Sequence, residues 1–188
     1  MKVVSLLGSP RKKGNSAILA KVVTDTLAGN EIVTHSLNDL SFKGCQACGA
    51  CKSRSEECVL KDDLRPVLHD IHEADVVIMA TPVYWGDVSA QMKAFIDRTY
   101  SFLTPGFMTD EKKHRLPAGK KLVFIQTQGA GSDLYDEIFQ RYNGFFKQLN
   151  IFNETYLIRG CDIGELAAVN ERSDLLEKAR ETAKSLMK

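Results

Sequence analysis

Asp75–Ala80 contains Val76-Val77-Ile78-Met79, an apolar run with no polar alternation. A strand covered on both faces reads this way, which is the mark of a central strand in a parallel sheet. The same signal recurs along the chain. Lys2–Leu7, Glu31–Ser36, Leu122–Thr127 and Phe152–Arg159 read as further strands, and helical patterns fall between them. Ile18, Leu19, Val22, Val23 and Leu27 mark one helix face, and Leu64, Val67, Leu68 and Ile71 a second. Met92, Phe95 and Ile96 mark a third, and Leu134, Ile138, Phe145 and Phe146 a fourth. Leu175, Leu176, Ala179 and Leu186 mark the last. Strand and helix alternate five times, which predicts an α/β fold: an open, doubly wound, five-stranded parallel sheet with helices on both faces and right-handed crossovers.

No linker or repeat divides the 188 residues, so the expectation is one domain over 1–188. Two segments interrupt the alternation: a cysteine loop over 37–61 and a weakly patterned stretch over 101–119, which reads as a flap or subunit contact. The net charge of +1 argues against nucleic-acid and membrane-surface roles. No apolar run approaches a membrane span. The apolar start Val3–Leu7 is too short for a signal peptide, so the expected compartment is the reducing cytoplasm. Cysteines there point to metal or redox chemistry ahead of structural disulfides.

In a doubly wound sheet, ligands sit beyond the carboxyl ends of the strands. Three loops fall on that edge. Gly8–Ser16 joins the first strand to a helix start, where N–H groups and the helix dipole favour an anion. Ser9, Asn15 and Ser16 supply donors, Asn15 or Ser16 can cap the helix, and Arg11, Lys12 and Lys13 add positive charge. The spacing is neither the dinucleotide fingerprint nor the P-loop. A solvated basic turn is the plain alternative. Thr81–Asp87 carries Tyr84-Trp85 after Pro82 and Val83, and Gly86 ends it. Such a loop offers flat apolar walls for a planar ring together with backbone polar groups, though two aromatics can also plug a core edge. Gln128–Asp133 is glycine-rich, and its signal is weak by itself.

Four of the five cysteines form C-x2-C-x2-C-x6-C: Cys45, Cys48, Cys51 and Cys58. Three crowded thiols and one from a later loop fit a cubane cluster better than zinc, which takes two separated pairs. The alternative is a set of reduced structural or redox-active thiols. Cys161 stands apart and reads as a small buried hydrophobe. His35, His69, His72 and His114 show no metal spacing with a carboxylate.

Together these motifs resemble the iron–sulfur flavoproteins of anaerobes, a branch of the flavodoxin-like, NADPH-dependent FMN reductase superfamily. The residues concerned are Gly8-Ser9-Pro10-Arg11, Gly14-Asn15-Ser16, the four cysteines, Lys61-Asp62-Asp63, Ala80–Tyr84 and Gln91–Arg98. The resemblance implies a flavodoxin-like strand order of 2-1-3-4-5 and one FMN per subunit, with a [4Fe–4S] cluster close to it across a subunit contact. It implies a homodimer or homotetramer. It puts the phosphate on Ser9, Arg11, Asn15 and Ser16, with Lys13 alongside. It puts the ring against Pro82, Val83, Tyr84, Trp85 and Gly86, with Thr127, Gln128 and Gly129 nearby. The implied function is transfer of electrons from a two-electron donor such as NAD(P)H to a one-electron, ferredoxin-like carrier. Two rival readings are a cluster-free NAD(P)H-dependent FMN or quinone reductase and a flavodoxin-type carrier. No residue is assigned as a catalytic acid or base.

Overall fold

The computed structural model describes residues 1–187. Its six strands and six α-helices follow in the order β1 (Lys2–Leu7), α1 (Asn15–Thr26), β2 (Glu31–Ser36), α2 (Ala50–Ser53), α3 (Leu64–Glu73), β3 (Val76–Tyr84), β4 (Asp87–Val88), α4 (Ala90–Arg98), β5 (Lys121–Thr127), α5 (Glu137–Gln148), β6 (Glu154–Gly160) and α6 (Ser173–Leu186). The five long strands pair in parallel as β2-β1-β3-β5-β6. The α/β class with a parallel, flavodoxin-like sheet is as expected. The strand count is not.

The extra strand arises where a loop was expected after Ala80. β3 continues to Tyr84 because β5 runs on beside it, pairing Pro82 with Thr127. The chain then reverses, and β4 returns antiparallel through Val83↔Val88 and Tyr84↔Asp87. Trp85 (φ 50°) and Gly86 (φ 75°) form the turn. Positive φ at both central residues is what a two-residue hairpin of right-handed twist needs. Glycine supplies that conformation freely, but a bulky tryptophan does not, so the tip is strained.

The pleat sorts each strand's side chains between two cores. Val4, Leu6, Val77, Met79, Leu122 and Phe124 face one way and pack with α3, α4 and α5. Val3, Val76, Ile78, Ala80, Val123 and Ile125 face the other and pack with α1 and α6. Burial on both faces accounts for the unbroken apolar runs.

Two expected core residues are exposed. Phe145 is 58% exposed, because Phe139, Tyr142 and Phe146 occupy the inward stripe and Phe145 lies a quarter-turn away. Leu134 is 48% exposed and precedes α5, which begins only at Glu137. Cys161 is half-buried in the segment after β6, where it was expected to be core. The connection order reverses at β1, with β2 on one side and β3 on the other. The loops leaving β1 and β3 therefore diverge and open a crevice.

Candidate functional site

Two concavities hold nearly all the residues singled out by sequence. The first is a groove of about 70 Å³ at the crevice beside β1. Ser9, Arg11, Asn15, Ser16, Pro82, Val83, Tyr84, Thr127, Gln128 and Gly129 line it. Lys13, Trp85 and Gly86 do not. Lys13 is exposed, and Trp85 projects fully into solvent from the hairpin tip.

The groove floor is the start of α1. Gly14 stands at the N-cap, where Asn15 or Ser16 was expected, and no side chain caps the helix. The first-turn N–H groups thus lack intrahelical partners, and the dipole favours an anion there. Ser9 is buried, and its Oγ accepts from the Arg11 N–H at 3.1 Å, which curls the loop toward the helix. A Cβ at Gly14 would come within 2.9 Å of Ser9 Oγ and 3.0 Å of the Arg11 carbonyl, so only glycine keeps this turn tight. Ser89 caps α4 and also donates to the Gly8 carbonyl at 2.6 Å, fixing the loop from beneath. These features fit a phosphate ester.

Asn15 departs from its expected role. Its Nδ2 donates to the carbonyls of Ile163 (2.6 Å) and Glu165 (2.9 Å), and its Oδ1 accepts from the Val169 N–H at 3.1 Å. The side chain is a tether, and its amide is not available to a ligand. What it tethers is a strap after β6 that sequence reading missed. Ile163, Gly164 and Leu166 from this strap line the groove. Gln128 holds the strap from the other side, since its carbonyl accepts from the Ile163 N–H at 3.1 Å. The Gln128 side chain is also engaged, donating to the carbonyls of Gly131 (2.8 Å) and Leu134 (2.7 Å). The only advance signal for the strap was Gly164, whose Cα lies 3.3 Å from where a Gly129 Cβ would stand.

The hairpin forming the groove's other wall is braced from α5. Tyr142 donates to Asp87 Oδ1 at 2.9 Å, and Arg141 pairs with Asp87 at 3.0 Å. Burial, helped by the Asp87 carboxylate, holds the Tyr142 hydroxyl above the ordinary tyrosine value. No carboxylate or imidazole lines the groove.

The second concavity, of about 300 Å³, is lined by Cys45, Cys48, Cys51 and Cys58 together with Val59, Leu60, Arg98 and Tyr100. Ala47 (φ 50°) and Gly49 (φ 68°) both take the left-handed conformation and wrap the chain around Cys48. Such strain in a non-glycine residue is characteristic of functional loops. Gly49 then starts α2, which carries Cys51.

The neck of the cysteine loop is closed by Asp62. Its carboxylate accepts from the Lys43 N–H and, bidentately, from Arg98 at 2.7 and 3.1 Å. Burial pushes the Asp62 carboxyl upward, and the Arg98 guanidinium together with the Lys43 and Leu64 N–H groups outweighs it, leaving the group below the usual carboxylate value. The 101–119 segment folds back on itself through a Leu103–His114 bridge and is hydrogen-bonded to α2. Arg115 of this segment donates to the carbonyls of Cys51, Ser101 and Leu103. Lys52 reaches the carbonyls of Tyr100 (2.6 Å) and Leu103 (3.0 Å). Burial pulls its ammonium below the usual lysine value, against the opposing pull of the Cys51 sulfur.

Four thiols around one cavity suit a cluster whose irons each take one sulfur. A single ion would gather its ligands more tightly. Among the described residues, the one group of three ligand types within 4.8 Å is His69, Asp70 and Glu73, a carboxylate grouping that sequence spacing did not suggest. Lys2 already occupies it, pairing with Asp70 at 3.0 Å and Glu73 at 2.6 Å. That makes it an ion-pair network. No described helix is long and apolar enough to cross a membrane.

The sequence profile of the NADPH-dependent FMN reductase family matches residues 1–138. The chain is 40% identical over 100 residues to an iron–sulfur flavoprotein of Archaeoglobus fulgidus, covering 52% of this chain and 45% of that protein. It is 39% identical over 101 residues to one from Methanocaldococcus jannaschii, covering 53% of this chain and 52% of that protein. The chain thus spans about half the length of the curated relatives it matches. Among solved structures, an NAD(P)H:quinone oxidoreductase from Methanothermobacter marburgensis shares the fold, with a TM-score of 0.72 at 18% identity over 100% of this chain and 98% of that one.

Proposed function

We infer that this chain, which belongs to the NADPH-dependent FMN reductase family, is a flavin-dependent oxidoreductase that moves electrons between FMN and a [4Fe–4S] cluster. The observation that carries the reading is that all four cysteines of the C-x2-C-x2-C-x6-C run line one cavity. When bound, FMN supplies the exchange between two-electron and one-electron chemistry, and the cluster relays single electrons. A nicotinamide donor and a ferredoxin-like acceptor suit that exchange.

The protein's part is to hold and orient. The first-turn N–H groups of α1, the Ser9 and Ser16 hydroxyls and Arg11 would receive the phosphate. Pro82, Val83 and Tyr84 would face the ring, with the backbone of Thr127–Gly129 and the Asn15-tethered strap opposite. The absence of carboxylate or imidazole from the lining suits electron and hydride transfer, which needs no protein acid or base. The groove is small against the roughly 300–1,000 Å³ typical of ligand sites. Trp85 and Tyr84 stand exposed beside it. A second copy of the chain would complete the wall, which favours a homo-oligomer.

The test is an absorption spectrum and iron assay on anaerobically purified protein. The expected result is flavin absorption over a broad band that bleaches on reduction, with about four irons per chain. Iron-free yellow protein with rapid NAD(P)H turnover would replace this reading with the cluster-free reductase.

A further inference from the structure

The cysteine cavity has two cations built against its sulfurs, and ligand holding alone gives them no role. Arg98, at the end of α4, has a side chain with 0% exposure. Its Nη1 donates to Asp62 Oδ2 and to the Lys43 carbonyl, both at 2.7 Å, and its Nη2 donates to Asp62 Oδ1 at 3.1 Å. The Nε–H donates to Cys58 Sγ at 3.2 Å. Lys52 repeats the arrangement from the other side. Two of its three donors go to the Tyr100 and Leu103 carbonyls, and Nζ stands 4.1 Å over the Tyr100 ring. The remaining donor reaches Cys51 Sγ at 3.4 Å.

Each cation is therefore pinned by protein groups and points one donor at a different sulfur. A neutral thiol is a weak acceptor and a poor partner for a buried charge, whereas an anionic sulfur is a good one. Cys45 and Cys48 are exposed, and among the described residues no hydrogen bond reaches either sulfur. The cation-to-sulfur hydrogen bonds thus fall on Cys51 and Cys58.

We propose that Lys52 and Arg98 are positioning residues that raise the reduction potential of the cluster held by Cys45, Cys48, Cys51 and Cys58. The proposal rests on the cluster reading above. Reduction adds one negative charge to the cluster, and a donor fixed at a ligand sulfur stabilises the reduced form more than the oxidised one. The two residues differ in size of effect. Arg98 is neutralised by the Asp62 carboxylate, so its action is mainly the hydrogen bond. Lys52 is held only by carbonyls and a ring face, so its charge reaches the cavity uncompensated.

The test is a redox titration, followed by electron paramagnetic resonance, of anaerobically purified Lys52→Met against the wild type. Removal of the charge is expected to shift the cluster's one-electron equilibrium at least tenfold toward the oxidised form, about 59 mV more negative. Lys52→Arg is expected to restore it, and Arg98→Lys to shift it less than Lys52→Met does. The FMN potential is the internal control, because the two cavities share no lining residue. An unshifted cluster potential in Lys52→Met at full iron content overturns the proposal and leaves the cluster reading standing. If Lys52→Met loses iron, Lys52→Gln is titrated in its place. Loss of iron from both assigns Lys52 to cluster retention and also overturns the proposal. Iron-free wild-type protein overturns the cluster reading itself.

Discussion

At the scale of single residues, two side chains in the first loop separate ligand binding from architecture. Arg11 lines the groove, so Arg11→Ala is expected to weaken FMN by about 1.5–3 kcal/mol, the worth of a hydrogen bond to a charged group. Fluorescence titration of the apoprotein checks it, and unchanged affinity removes Arg11 from the site. Asn15 occupies the same sequence motif but acts inward. Asn15→Ala removes three hydrogen bonds, two of them buried, and leaves the carbonyls of Ile163 and Glu165 without this donor. The expected cost is about 1–3 kcal/mol of stability, with faster hydrogen exchange concentrated in 161–169. Exchange that speeds up evenly through the chain would deny the tether. Spacing alone could not tell these roles apart, because a donor beside a helix start looks the same whichever way its side chain turns.

At the scale of elements, the hairpin and the cysteine loop carry the informative strain and charge. Trp85 sits at φ 50° with its ring in solvent, so it contributes no packing within the chain. Trp85→Asn, a residue that tolerates the left-handed region, is expected to raise the urea midpoint of dilute monomeric protein modestly, by about 1 kcal/mol of relieved strain. If Trp85 is covered by a second copy, the same change is expected to weaken self-association in sedimentation experiments. A variant that is both no more stable and equally associated would refute both assignments. The cysteine-loop neck depends on pH with a definite sign. Asp62 is held below its ordinary value, so the folded chain favours the carboxylate more than the unfolded chain does. Its contribution is complete above about pH 5 and fades as pH falls through about 4 toward the lower folded value. Asp62→Asn is therefore expected to narrow the gap in urea midpoints between pH 7 and pH 4. An equal gap in variant and wild type would show that the pair with Arg98 does not stabilise the fold.

For the whole molecule, the two concavities lie in different parts of the chain and share no lining residue. One is built on the sheet edge, the other on the cysteine loop under the 101–119 segment. Cys48→Ala is thus expected to abolish bound iron while FMN affinity stays within about twofold, since Cys48 is not among the groove-lining residues and a twofold change is under 0.5 kcal/mol. Concerted loss of both would mean that the sites are coupled through the fold. The double-sided core explains why the strands were legible in the sequence. Runs such as Val76–Met79 and Leu122–Ile125 are buried on both faces, and periodicity registers that directly. β4 was not legible, because two residues carry no period and Trp85-Gly86 does not look like a turn of positive φ.

What the amino-acid order determined by itself was local: which stretches are the long strands and helices, which loops fall on the ligand edge, and which cysteines line one cavity. These follow from short-range patterns of apolarity and spacing, which the backbone must satisfy wherever the chain goes. What only the tertiary structure decided was long-range. The strap from 161–169 joins a groove built from residues 150 positions earlier, as the Asn15–Glu165 bond requires. Arg98 meets the Cys58 sulfur, 40 positions away, only because α4 packs against the cysteine loop, and Lys52, the chain neighbour of Cys51, is fixed by the distant carbonyls of Tyr100 and Leu103. Such contacts depend on how elements pack in space, and no local period encodes them.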